Sequence, residues 1–119
     1  MTVTIKRVYE DAAPPDGYRV LVDRLWPRGV SKSRAAIDLW LKEIAPSPQL
    51  RTWWNHDSET MDEFAQRYRN ELDSNSAVAE LRDVIDRHPV VTLLYGARDP
   101  HVNHAAVLLE YLSREGGAT

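Results

Sequence analysis

The stretch Pro89-Val90-Val91-Thr92-Leu93-Leu94-Tyr95-Gly96 decides the fold. Its apolar, aromatic and β-branched residues run without a break between a proline and a glycine. A strand with one wet face would alternate polar and apolar residues. An unbroken run fits a strand buried on both faces, as in a parallel sheet. Parallel neighbours are joined by crossovers, usually helical, so the flanking sequence should supply helices.

It does so on both sides. Downstream, a helix is expected from about Asn103 to Arg114. It is apolar almost all round, through Ala105, Ala106, Val107, Leu108, Leu109 and Leu112, and Gly116 and Gly117 end it. Upstream, Ser76 reads as the cap of a helix that turns Val78, Leu81, Val84 and Ile85 inward. Before that, Met61, Phe64, Ala65, Tyr68 and Leu72 recur at helical spacing with charges opposite. Ser47 followed by Pro48 is an N-cap with proline at the first helical position, opening a short helix to about Trp54.

The N-terminal third reads as strands. Val3 and Ile5 alternate with polar residues and are followed by Val8 and Tyr9. Tyr18 to Asp23 is a second strand, after a turn over Glu10 to Gly17 that carries Pro14, Pro15 and Asp16. Residues 37–44 fit two patterns: Ile37, Trp40, Leu41 and Ile44 a helix, Ile37, Leu39 and Leu41 a strand. A strand is favoured, preceded by a short helix over Ser31 to Ala36 and stopped by Pro46. The expected fold is α/β: a small, mainly parallel sheet of three or four strands covered by helices, three-layered or open-faced. Residues 1–119 make one domain.

Composition narrows the function. Apolar residues form 43% of the 119, enough for a core, and no run approaches the ~20 needed to span a bilayer. The opening residues lack a basic-then-apolar leader, so a soluble, cytoplasmic protein is expected. The absence of cysteine excludes disulfides, thiolate catalysis and cysteine-ligated zinc. A net charge of −3 argues against a nucleic-acid partner.

Three segments carry polar chemistry: Asp23-Arg24-Leu25-Trp26-Pro27-Arg28-Gly29 after the second strand, Trp53-Trp54-Asn55-His56-Asp57 between helices, and Tyr95-Gly96-Ala97-Arg98-Asp99-Pro100-His101-Val102-Asn103-His104 between the buried strand and the last helix. In open α/β sheets ligands sit at the carboxyl ends of the strands. If the second and last strands are parallel, the first and third segments meet there. Arg24, Arg28 and Arg98, with Asn103, would hold an anion, because guanidinium grips phosphate or carboxylate in pairs of hydrogen bonds. Asp23 or Asp99 would orient an arginine or act as general base, and His56 or His104 would move a proton. Each has a structural reading beside it. Asp23 and Arg24 could be a strand-end ion pair, Asp99-Pro100 a turn and cap, His56-Asp57 a capping turn, and Trp26 and Pro27 packing. His101 and His104, three apart, could hold a metal with ligands added by His56, Asp57 and Asp99, but the pattern is too weak to assign a metal site, and the cofactor stays open. There is no Walker loop, Gly-x-Gly-x-x-Gly or Gly-x-Ser-x-Gly.

The string from Arg19 to Lys32, with Asp23-Arg24-Leu25-Trp26-Pro27-Arg28-Gly29 at its centre, closely resembles the YeaO-like branch of the domain of unknown function 488 family. Ile44 to Ser47, Leu50-Arg-x-Trp53, His56-Asp57, Glu63-Phe-x-x-Arg-Tyr68, Thr92 to Tyr95, Asp99 and Asn103-His104 extend the resemblance over nearly the whole chain. It implies a compact α/β fold and no established activity. The family's longer branch has a similar Asp-x-Arg-x-x-Pro string and a Cys-His-Arg string opening the last helix. Here the corresponding residues are Asp23, Arg24 and Pro27, then Asn103-His104-Ala105. The thiol and the final arginine are missing, so a mechanism using that cysteine is closed to this chain. Arg28, Asp99 and His104 remain as matching polar positions.

The expected function is an enzyme or enzyme-like protein binding a small phosphate- or carboxylate-bearing ligand. Two other classes are kept beside it. One is a non-catalytic interaction or self-association module using Trp53 and Trp54; a homo-oligomer has no further support. The weaker one is nucleic-acid binding through Arg24, Arg28, Arg34 and Arg98.

Overall fold

The computed structural model describes residues 2–55 and 57–117, with side chains described to residue 114. Four strands form one sheet: β1 (Thr2–Arg7), β2 (Tyr18–Leu21), β3 (Leu39–Trp40) and β4 (Val90–Tyr95). Their order is β1-β4-β2-β3 and every pairing is parallel. The unbroken apolar run is the central strand, as its pattern requires. Thr2 to Arg7 pair with Val90 to Tyr95 on one side, and Tyr18 to Leu21 pair with Val91 to Leu94 on the other.

Five helices follow the predicted places: α1 (Lys32–Ala35), α2 (Pro48–Trp54), α3 (Met61–Asp73), α4 (Ala77–Arg87) and α5 (His104–Gly117). The chain leaves β3 at one edge, passes through α2, α3 and α4, and returns to insert β4 between β1 and β2. Val20, Val22, Val91, Leu93 and Tyr95 project from one sheet face into the main core. Phe64, Tyr68 and Leu72 of α3, Leu81 of α4 and Leu108 of α5 meet them there. Side chains alternate across a strand, so Leu21 and Leu94 face the other way. They join Val8, Val30 and Ala35 in a smaller cluster.

That second face has no long helix over it, because residues 8–17 connect β1 directly to β2. Polar groups close it instead. Asp16, on a 3₁₀ turn at Pro14–Asp16, ion-pairs with Arg19 and takes Lys6 Nζ at 3.1 Å on each carboxylate oxygen. It also accepts the Ala13 amide at 3.0 Å. Thr92 Oγ1 of the central strand donates to the Asp16 carbonyl at 2.6 Å, and Arg19 donates from Nε and Nη2 to the Ala35 carbonyl.

The ambiguous segment 37–44 contains both patterns in succession. Leu39 and Trp40 pair with Val20 and Leu21, and Leu41 N still donates to the Leu21 carbonyl at 2.9 Å. A 3₁₀ turn at Lys42–Ile44 then buries Ile44. The strand is pinned by side chains: Asp38 accepts the Arg19 amide and Trp40 Nε1 donates to the Asp23 carbonyl. Ser47 caps α2 as expected, accepting the Leu50 amide at 3.2 Å. Ser76 does not cap α4. Its backbone is already helical, and the Asn75 side chain takes the Ala77 amide at 2.9 Å instead. Among the described residues no helix is long and apolar enough to cross a membrane.

Candidate functional site

Because β2 and β4 are adjacent and parallel, the residues that follow them emerge side by side. Val22 still pairs with β4, its amide donating to the Leu94 carbonyl at 3.1 Å, and Asp23 is the first residue past the ladder. Asp23 Oδ2 accepts the Gly96 amide at 2.9 Å, which ties the two strand ends together. The approach at Gly96 is close: a Cβ there would lie 2.9 Å from that same oxygen, so the Asp23 carboxylate would have to shift. His104, the first residue of α5, completes the group. Its Nε2 lies 3.0 Å from the Val22 carbonyl and 3.3 Å from Asp23 Oδ1. A carbonyl only accepts, so Nε2 carries the hydrogen, and proton exchange with a ligand would have to pass through Nδ1.

Tyr68 of α3 lies beneath, with its ring edge-on to His104 at 6.1 Å between centroids. Its hydroxyl donates to the Ile44 carbonyl at 2.6 Å. Full burial pushes that hydroxyl well above its ordinary pKa; Glu71 and Asp23 add to the rise and Arg24 opposes it. Tyr68 is therefore a neutral structural donor and no acid–base group near neutrality.

Asp23, Gly96 and His104 line a cleft of about 800 Å³. Tyr9, Leu25, Trp26 and Pro27 also line it, as do Pro46, Pro48, Arg51, Thr52 and Asn55 from the later segment around α2. Arg24 reaches between them, donating from Nη2 to the carbonyls of Ala45 and Pro46 at 3.3 and 3.4 Å. Its Nε is shut off from solvent and meets no acceptor. A buried charged donor left unmet costs roughly 1–3 kcal/mol or more, and the two long bonds from Nη2 leave the guanidinium loosely committed where it lines the cleft. Arg51 adds a second positive charge to the lining, and among the described residues Asp23 is its one carboxylate.

The structure brings together three of the eight residues singled out by sequence: Asp23, Arg24 and His104. Arg28 and Arg98 are exposed and are not among the cleft residues. Arg28 follows the buried Pro27 into a turn at Gly29, where φ is +78°. Asp99 is likewise a turn residue: Oδ1 accepts the amides of His101 and Val102, and these hold its carboxyl below the ordinary range. Asn103 is fully buried and spent inside the fold. Oδ1 caps α5 through the Ala106 amide at 2.8 Å, and Nδ2 donates to the Asp99 carbonyl at 2.8 Å. His56 lies outside the described residues. Trp53 and Trp54 part company: Trp53 is 41% exposed under the Arg67 guanidinium, whereas Trp54 is buried and stacked on Phe64 at 3.7 Å. Among the described residues no three histidines or carboxylates gather as a metal would need.

Two cations escaped the sequence reading. Arg51 sits on α2, whose wall of the cleft forms only when the long crossover packs back. Arg7 ends β1 and stands at the rim, with Nε donating to the Ala97 carbonyl at 2.8 Å and its guanidinium 5.1 Å from the Tyr9 ring centroid. A signal for Arg7 did exist: the last residue of any strand parallel to β4 arrives at the same sheet edge.

Asn103→Ala should lower stability by about 2 kcal/mol, since a cap and a buried hydrogen bond vanish together. Asn103→Ser, which keeps a capping oxygen, should recover roughly half of that. Urea titration of the three proteins measures both. An Ala variant as stable as the parent would return Asn103 to a role in binding.

A family model described as the inactive DUF488-N3 subclade matches residues 2–118. An uncharacterised protein of Mycobacterium tuberculosis is 48% identical over 111 residues, covering 93% of each chain. The uncharacterised protein YeaO of Escherichia coli is 42% identical over 113 residues, which is 94% of this chain and 97% of its own. No solved structure matches the chain.

Proposed function

The chain belongs to the inactive DUF488-N3 subclade, and from that membership we propose that it is an enzyme-like, cytoplasmic protein that holds a small phosphate- or carboxylate-bearing molecule without turning it over. The observation that carries this reading is Arg24, whose guanidinium lines the cleft and is held by Nη2 through two long hydrogen bonds, 3.3 and 3.4 Å, to the Ala45 and Pro46 carbonyls. Arg51 shares the cleft and Arg7 stands at its rim, so the lining is positive within a chain of net charge −3. An anion entering there replaces water with guanidinium hydrogen bonds in a partly enclosed space. Asp23 acts through position: it holds the ends of β2 and β4 together and faces His104. The family description and the lack of any cysteine both favour binding over covalent turnover.

Millimolar phosphate, matched in ionic strength against chloride, should raise the melting temperature of the parent protein, because a ligand that binds only the folded state stabilises it. Arg24→Met should weaken phosphate binding about tenfold or more, the worth of one charged hydrogen bond, and erase the shift. The variant's circular dichroism spectrum controls for folding. An equal shift in parent and variant would end this reading.

A further inference from the structure

We infer that the ligand of this cleft carries a planar aromatic ring as well as its anionic group. The inference rests on the anion-binding reading and adds the chemistry of the other half of the molecule. The cleft, at about 800 Å³, is far larger than an inorganic anion and lies within the range of roughly 300–1,000 Å³ that takes whole small organic molecules.

Its aromatic lining offers rings and little else. Trp26 Nε1 is committed to the Val30 carbonyl at 2.7 Å, Trp54 Nε1 to the Asp57 carbonyl at 2.9 Å and Tyr9 Oη to the Arg28 carbonyl at 3.2 Å. With its indole nitrogen committed, Trp26 lends the cleft the body of its ring beside Tyr9, while Trp54, 3% exposed, contributes little surface. They are also fixed in place: Trp26 packs edge-on to Trp40 at 5.5 Å, and Trp54 stacks on Phe64. A rigid ring that need not be ordered on binding gives contact area at little entropic cost.

Leu25 extends this apolar wall to the lip. It lines the cleft and yet is 65% exposed, the most exposed large hydrophobic residue described. Its neighbour in sequence, Arg24, is the charged anchor, so a ring and an anion only a few bonds apart would meet both at once. An aliphatic anion would make less contact with Trp26 and Leu25 than a flat ring would.

Titration calorimetry on the full chain with phenyl phosphate, methyl phosphate and benzoate tests this. Phenyl phosphate should bind at least tenfold more tightly than methyl phosphate. Leu25→Ser, at an exposed position, and Trp26→Leu should each cut that preference severalfold while leaving methyl phosphate binding unchanged. If Trp26→Leu fails to fold, Leu25→Ser carries the test alone. Benzoate against phenyl phosphate tells which anionic group the arginines prefer, and tighter binding of phenyl phosphate than of methyl phosphate supports the ring. Equal binding of phenyl and methyl phosphate, both lost in Arg24→Met, would overturn the ring and leave the anion site standing. No binding of any of the three would overturn the anion site itself.

Discussion

Replacing Asp16 by asparagine should destabilise the protein by about 3 kcal/mol, the usual cost of removing one partner from a buried ion pair. Arg19 is 3% exposed and would keep its charge, its bonds to the Ala35 carbonyl and no counter-ion. Lys6 would lose its two carboxylate contacts at 3.1 Å as well. The same carboxylate makes stability depend on pH. Burial pushes Asp16 up, but the Ala13 amide, the Lys6 ammonium and the Arg19 guanidinium outweigh it and hold the folded-state pKa below its ordinary 3.8. The unfolded chain then takes up the proton first as pH falls. The stabilisation is complete above that ordinary value and drains away below it, toward the lower folded-state pKa. Denaturant titrations at pH 7 and near pH 3 should show the gap between parent and Asp16→Asn closing at the acid end. A constant gap would mean that the charge is not what holds this face shut.

Gly17→Ala should cost about 2–3 kcal/mol, from two independent causes. Gly17 has φ of +64°, a conformation that side chains resist. A Cβ there would also overlap the Val90 carbonyl oxygen and come within 2.7 Å of the Val90 Cβ, at the start of the central strand. Backbone that is already hydrogen-bonded in a sheet cannot yield as a flexible side chain would. Gly29→Ala is the matched control. Its φ is +78°, but nothing lies within 4 Å of the added carbon, so only the backbone cost of about 1 kcal/mol applies. Thermal unfolding of both variants separates the two contributions. Equal losses would show that the sheet has room at Gly17.

These two positions explain why the second sheet face stayed hidden in the sequence. The turn from Glu10 to Gly17 was legible from its prolines and glycine. That Asp16 within it would accept Lys6 from β1, Arg19 from β2 and the Ala13 amide was not. Those partners are set by which strands lie side by side, and β4, drawn from far along the chain, lies between β1 and β2.

Local pattern determined a great deal by itself. An unbroken apolar run can be satisfied only by burial on both faces, and periodic Phe64, Tyr68 and Leu72 only by a helix against a core, so the α/β class and the order of elements could be read directly. The meeting of Asp23 with His104 followed from the same reasoning, because parallel strands deliver their ends to one edge. Tertiary structure alone decided which arginines face the cleft. Arg24, Arg28, Arg51 and Arg98 are chemically alike, and no residue's own neighbours in sequence specify the direction of a long side chain. Packing of α2 across the strand ends made Arg51 a wall, and the turns around Gly29 and Asp99 left Arg28 and Arg98 in the solvent.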